Sequence, residues 1–193
     1  MLLLHEQHKA FWEIVKRTLQ AIIPAEAFVA TEQKIDRSFA SGYGTVLYYE
    51  DTTVVRKLQE QFPTYADNFP IWSEHTSAMH QLAVWTMLED AGFGASLQHY
   101  NPLIDKEVRE RWDLPAAWRL IAQMPFGTPG GEPQEKSFKP WKSAYGYSNR
   151  SSRRSSRRQA YRKKKLQNTL EKFGVSNFLV TFALAITKHA FAE

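Results

Sequence analysis

The chain has 193 residues, of which 43% are apolar and 23% charged, a balance that excludes a wholly disordered polymer and suits one domain plus a modest tail. It has no cysteine, which excludes disulfides, cysteine-ligated zinc or iron–sulfur centres and thiol catalysis. The net charge of +5 is local: nine of the 25 basic residues fall in 150–165, a window without acids, so the remainder is net acidic. The longest apolar run, Phe178 to Ile186, is far short of the roughly 20 residues a membrane helix needs. Met1-Leu2-Leu3-Leu4 lacks a charged leader and does not read as a signal peptide.

In chain order, Met1–Leu4 reads as the end of a strand whose beginning is absent. Glu6–Ile23 reads as a helix, because Phe11, Val15, Leu19 and Ile22 recur at helical spacing. Pro24 ends it and opens a second helix over Ala25–Lys34. Ser38–Gly44 is turn-rich. Thr45–Glu50 is β-branched and aromatic, which predicts a strand. Asp51 or Thr52 caps a helix over Thr53–Gln61. Ile71–Ala91 is a long helical pattern with apolar residues on all sides, expected in the core. Gly92 and Gly94 stop it. A short strand over Ala95–Gln98, a helix over Leu103–Trp112 and a strand over Trp118–Met124 follow, then a Gly/Pro-rich loop from Phe126 to Pro133. The fold class expected is α+β.

From about Pro140 the character changes. The domain reading is therefore 1–140 for the folded unit and 141–193 for a divergent basic low-complexity tail with two short helical patches. Arg150–Lys165 reads as a solvated linker, or as a surface for nucleic acid or acidic partners, or as a nuclear localisation signal. Its Arg-Arg-Ser-Ser repeats suit phosphorylation.

Three blocks carry a resemblance. The first runs from His8-Lys9-Ala10-Phe11-Trp12 through Pro24-Ala25-Glu26-Ala27-Phe28 to Gly42-Tyr43-Gly44-Thr45-Val46-Leu47-Tyr48-Tyr49-Glu50-Asp51. The second is Ala91-Gly92-Phe93-Gly94-Ala95-Ser96-Leu97-Gln98-His99-Tyr100-Asn101-Pro102. The third is Met124-Pro125-Phe126-Gly127-Thr128-Pro129-Gly130-Gly131-Glu132-Pro133, with Lys136 following. Together, in this order, they resemble the nitroreductase family of flavoenzymes, in the subgroup that includes yeast fatty-acid-repression-mutant proteins and the copper-induced bacterial nitroreductase.

The resemblance implies a nitroreductase-like fold: a central antiparallel or mixed sheet flanked by helices. It implies an FMN-dependent, NAD(P)H-driven homodimer that reduces nitroaromatic or quinone-type acceptors by hydride transfer through the flavin N5. Gln98, His99 and Tyr100 would pass near that N5 edge, and Lys136 would meet the FMN phosphate, with Lys139 a weaker candidate. No catalytic side chain and no metal ligand is implied, and the compartment expected is the cytoplasm, with the nucleus as a second. Family members also carry an N-terminal helix, an Arg-Arg-Ser phosphate grip and a Ser-Pro-Ser-x-x-Asn-x-Gln flavin lining. None of these occurs in its family position here, so the expected domain is incomplete and its flavin site weakened. The competing reading is a non-catalytic remnant, or a binding protein acting through its basic tail.

Without the resemblance, Gly92 and Gly94 read as a helix stop, Lys136 as a solvated lysine and His99 as an ordinary histidine. Trp72, Trp85 and Tyr43 could line a pocket, but aromatics at helical spacing read first as core.

Overall fold

A computed structural model describes residues 1–131 and 135–138. The basic segment 150–165, the two helical patches after it and Lys139 lie outside the described residues. Met1–Pro129 form one compact unit, and the chain from Gly130 belongs to a second.

The first unit is built in the order β1 (Leu2–Leu4), α1 (His5–Gln20), α2 (Ala25–Ser38), β2 (Gly44–Asp51), α3 (Thr52–Gln61), a 3-10 turn (Pro63–Asn68), α4 (Phe69–Asp90), β3 (Gly94–Ala95), α5 (Asp105–Arg111) and β4 (Trp118–Gly127). The four strands form one antiparallel sheet in the order β1-β2-β4-β3. This is the α+β architecture that the patterning predicts, with the sheet wholly antiparallel among the described residues. Local chemistry accounts for the element ends. Asp51 caps α3: its carboxylate accepts the Thr53 N–H at 2.9 Å and the Thr53 hydroxyl at 2.6 Å. α4 ends in a Schellman arrangement, with Gly92 N–H on the Glu89 carbonyl and Phe93 N–H on that of Leu88. Gly92 takes φ +85°, a conformation a side chain would strain.

β2 and β4 pair from Gly44↔Phe126 to Asp51↔Trp118, with a register shift between Tyr48 and Tyr49. From Leu120 to Phe126 every residue of β4 is buried, so both sheet faces are covered. On one face Phe11, Trp12 and Val15 of α1 meet Leu47 and Leu120, with Ile35 of α2 and Ile104 and Val108 beside α5. On the other, Phe93 packs edge-on to Phe126 with centroids 5.5 Å apart.

Several expectations need correction: α2 runs on to Ser38, past the expected end at Lys34, and β3 spans only Gly94–Ala95 where Ala95–Gln98 was expected. β4 runs through Pro125 to Gly127, past the expected end at Met124. Proline cannot donate to a ladder, but here its carbonyl is the group used, accepting the Ser96 N–H at 3.1 Å. The larger correction concerns α4. Of its 22 residues only Gln81 and Leu88 are buried. Met79 and Leu82 stand 63% and 67% exposed, and Trp72 is exposed as well. A helix that is apolar all round needs cover on every side, and one sheet face covers a single stripe. Trp85 is half-buried at the surface, its indole N–H on Glu89 at 2.9 Å, and Tyr43 is likewise half-buried, beside Phe93 and Phe126.

Candidate functional site

The Schellman turn at Gly92 redirects the chain along the free edge of β4. From there it stays bound to that strand for seven residues. Gly94 and Ala95 pair with Gly127 and Phe126, Ser96 donates to Pro125, and Gln98 exchanges both backbone bonds with Gln123 at 2.7 and 2.9 Å. Beyond Gln98 the strand-to-strand ladder ends and a side chain takes over. The Tyr100 N–H donates to Gln123 Oε1 at 2.8 Å, and Gln123 Nε2 donates to Asn101 Oδ1 at 3.2 Å. Gln123 is fully buried.

The three sequence-predicted residues of this stretch therefore have different environments. Gln98 is half-buried, and its Nε2 donates to Ser96 Oγ at 3.3 Å. His99 is exposed, and neither its ring nor its backbone N–H has a partner among the described residues. Tyr100 turns its ring inward, edge-on to Trp12 with centroids 5.9 Å apart, where burial raises its phenol above the ordinary tyrosine value. Along the stretch the amides of Gln98 and Tyr100 donate to Gln123, and that of His99 has no partner among the described residues. Lys136 is exposed in the second unit. Gly94 is not tightly packed, since a Cβ there would make only ordinary contacts, the nearest at 3.5 Å to Pro129. Gly92, at φ +85°, is the helix stop, and Gly94 lies past it in β3.

Two buried polar groups escaped the sequence reading. One is Gln123, whose signal was available: a lone amide inside the run Leu120-Ile121-Ala122-Gln123-Met124. The other is His8. Its Nδ1 lies 2.8 Å from Thr45 Oγ1 and its Nε2 3.2 Å from the Ala40 carbonyl, while the Trp12 indole N–H donates to the same Thr45 oxygen at 2.9 Å. One assignment satisfies all four groups: Trp12 donates to Thr45, Thr45 donates to His8 Nδ1, and His8 Nε2–H donates to Ala40. That is the neutral imidazole. Burial, aided by Lys9, holds its pKa below the ordinary value against the pull of the Ala40 and Phe39 carbonyls. His8 is a structural histidine tying α1 to β2 and to the loop after α2.

A separate cleft of about 460 Å³ lies between α3, α4 and the start of β4, lined by Thr52, Arg56 and Ile71 among others. Glu74 and Arg119 within it form an ion pair. It includes none of residues 98–100.

The sequence profile of the Nitroreductase family matches residues 2–128. The chain belongs to the nitroreductase family. It is similar to the yeast nitroreductase FRM2 of Saccharomyces cerevisiae, 36% identical over 138 residues, covering 72% of this chain and 67% of the relative. Among solved structures it is similar to the nitroreductase CinD from Lactococcus lactis in complex with 4-nitrophenol. That match has 41% identity and a TM-score of 0.69, and covers 77% of this chain and 75% of CinD. A nitroreductase from Saccharomyces cerevisiae follows at 33% identity and a TM-score of 0.56, covering 67% of each chain.

The chain is thus a nitroreductase-type oxidoreductase with the nitroreductase fold. The family generally uses FMN, and the donor set can be tested against it. The edge of a flavin ring presents acceptor atoms that call for N–H donors. His99 is exposed and its amide has no partner among the described residues, so it is a donor of the kind the ring edge calls for. The phosphate calls for cationic donors.

Proposed function

We propose that this nitroreductase is an FMN-dependent NAD(P)H oxidoreductase that reduces nitroaromatic or quinone-type acceptors and works as a homodimer. The observation that carries the reading is the pattern at residues 98–100: two amides held by Gln123 and one, that of His99, without a partner among the described residues. When bound, FMN supplies hydride transfer through its N5, from NADH or NADPH to the acceptor. The protein's part is to hold that ring. The His99 N–H would donate to an acceptor atom on the ring edge, the Gln98 side chain would flank it, and the half-buried Tyr100 ring anchors the segment to the core. Lys136 neutralises phosphate charge. The likeness to CinD, solved in complex with 4-nitrophenol, supports a nitroaromatic as one acceptor. The exposed apolar residues of α4, Met79 and Leu82 foremost, support a second copy of the chain as the cover for that helix.

The test is the visible spectrum of the purified protein after incubation with FMN and gel filtration. A flavin band co-eluting with protein, followed by NADH or NADPH oxidation that depends on an added nitroaromatic or quinone, is the expected result. Colourless protein overturns the proposal. Lys136→Ala should weaken FMN binding by about tenfold, the loss of one charge-assisted hydrogen bond, read by fluorescence titration.

A further inference from the structure

We infer that Gln123 is a positioning residue for the cofactor segment: its buried side chain sets which backbone amide of residues 98–100 is presented outward. The inference rests on the flavin reading above.

Gln123 touches the segment at four points. Its backbone makes both bonds to Gln98, its Oε1 takes the Tyr100 N–H, and its Nε2 holds the Asn101 side chain. The two backbone bonds would form with any residue except proline at position 123. The two side-chain bonds require an amide, because one group must accept from Tyr100 and donate to Asn101 at the same time. A leucine or methionine of similar volume can do neither. A glutamine in the middle of a buried strand is costly unless both ends of its amide are satisfied, and here both are.

The consequence concerns His99. A β-type ladder would continue from Gln98 only by turning the Tyr100 N–H to a backbone carbonyl of β4. The chain instead leaves the strand, and the Gln123 side chain fills the gap with a longer reach. That keeps Gln98 and Tyr100 facing inward, which forces the intervening His99 N–H outward by the twofold alternation of an extended segment. Without the side-chain bond, the Tyr100 amide is released and the orientation of His99 is no longer set on its C-terminal side. Gln123 acts through the segment and does not itself face outward, being fully buried.

The test needs two readouts on full-length protein, one of them free of cofactor. The variants are Gln123→Met, which keeps volume, and Asn101→Ala, which removes the second anchor without entering the sheet. Hydrogen exchange at the Tyr100 amide is followed first, in protein without FMN. Gln123→Met should speed it by about tenfold or more, while amides in β2 keep their protection. Unchanged exchange at Tyr100 overturns the clamp whatever the flavin does. The second readout is affinity for oxidised and reduced FMN. Gln123→Met should weaken oxidised FMN about tenfold more than reduced FMN, because N5 accepts a hydrogen bond in the oxidised ring and carries a hydrogen in the reduced one, with Asn101→Ala shifting the ratio in the same direction by less. A Tyr100 amide that is freed while the ratio stays constant overturns the positioning role. Wild-type protein that binds no FMN overturns the flavin reading and the positioning role with it, and the exchange result still decides the clamp. Should Gln123→Met not fold, Asn101→Ala alone decides: no change in either readout overturns the inference.

Discussion

Thr45 satisfies two buried groups with one hydroxyl. It accepts from Trp12 and donates to His8, and it is fully buried between them. Thr45→Val keeps the shape and removes both bonds, leaving an indole N–H and an imidazole nitrogen without partners. We expect a loss of about 2–4 kcal/mol in stability, measured by urea denaturation. The same network sets a pH dependence. Folded His8 resists the proton that the unfolded chain accepts at the ordinary histidine value of 6.5. The unfolded state therefore binds more protons in that window, and stability rises with pH across it. The contribution is complete above pH 6.5 and is lost as pH falls from there toward the lower folded-state value. Denaturation midpoints measured on either side of that value should show the slope, and His8→Gln should flatten it. An unchanged slope in His8→Gln would assign the effect to other groups. His8 lies inside the block of residues that carried the family resemblance, yet its burial was not readable there. Its partners are 32 and 37 residues away in sequence.

Among the elements, the best-read were those bounded by local signals. β2 begins at the last glycine of the Ser-Gly-Tyr-Gly turn, α3 begins at its Asp51 cap, and α4 stops at Gly92, all within a residue or two of the pattern. The Asp51 carboxyl is held below its usual range by the Thr53 hydroxyl and amide. Its capping contribution is thus present above the ordinary carboxylate value of 3.8 and fades as pH falls through the folded-state value. Asp51→Ala should fray the first turn of α3, seen as faster exchange of the Thr53 amide. The turn between α2 and β2 carries a different constraint. A Cβ on Gly42 would stand 2.8 Å from the Phe126 carbonyl oxygen and 3.1 Å from that of Phe39. Both are backbone atoms, so neither moves aside cheaply. Gly42→Ala should destabilise by about 1–3 kcal/mol, the range for overpacking, again by denaturation. The extension of β4 past Pro125 was not legible, because propensity rules exclude proline from central strands and take no account of which carbonyl a neighbour uses.

For the molecule as a whole, the decisive feature is α4. It is a long helix with apolar residues on every side, and the chain's own sheet buries only a small part of it. Under the homodimer proposal, Met79 and Leu82 lie three positions apart on one face and meet the second copy. Leu82→Glu places an unpaired charge there and should weaken self-association by about tenfold to a hundredfold, measured by sedimentation. A variant that sediments like the wild type would remove this face from the interface. The cleft-lining ion pair of Glu74 and Arg119 serves as a control, since breaking it with Glu74→Gln should leave sedimentation unchanged.

The residues in order were enough to establish the family, the succession of helices and strands, the stop at Gly92 and the stretch from Gln98 to Tyr100. Each of these is encoded by neighbours: hydrophobic period, caps, turns and short motifs act over a few positions. The exposure of α4, the inward turn of the Tyr100 ring and the pairing of its amide with Gln123 came from the folded chain. A buried amide's partner can lie anywhere in sequence, here 23 residues away, and burial depends on what packs against a surface rather than on the surface itself.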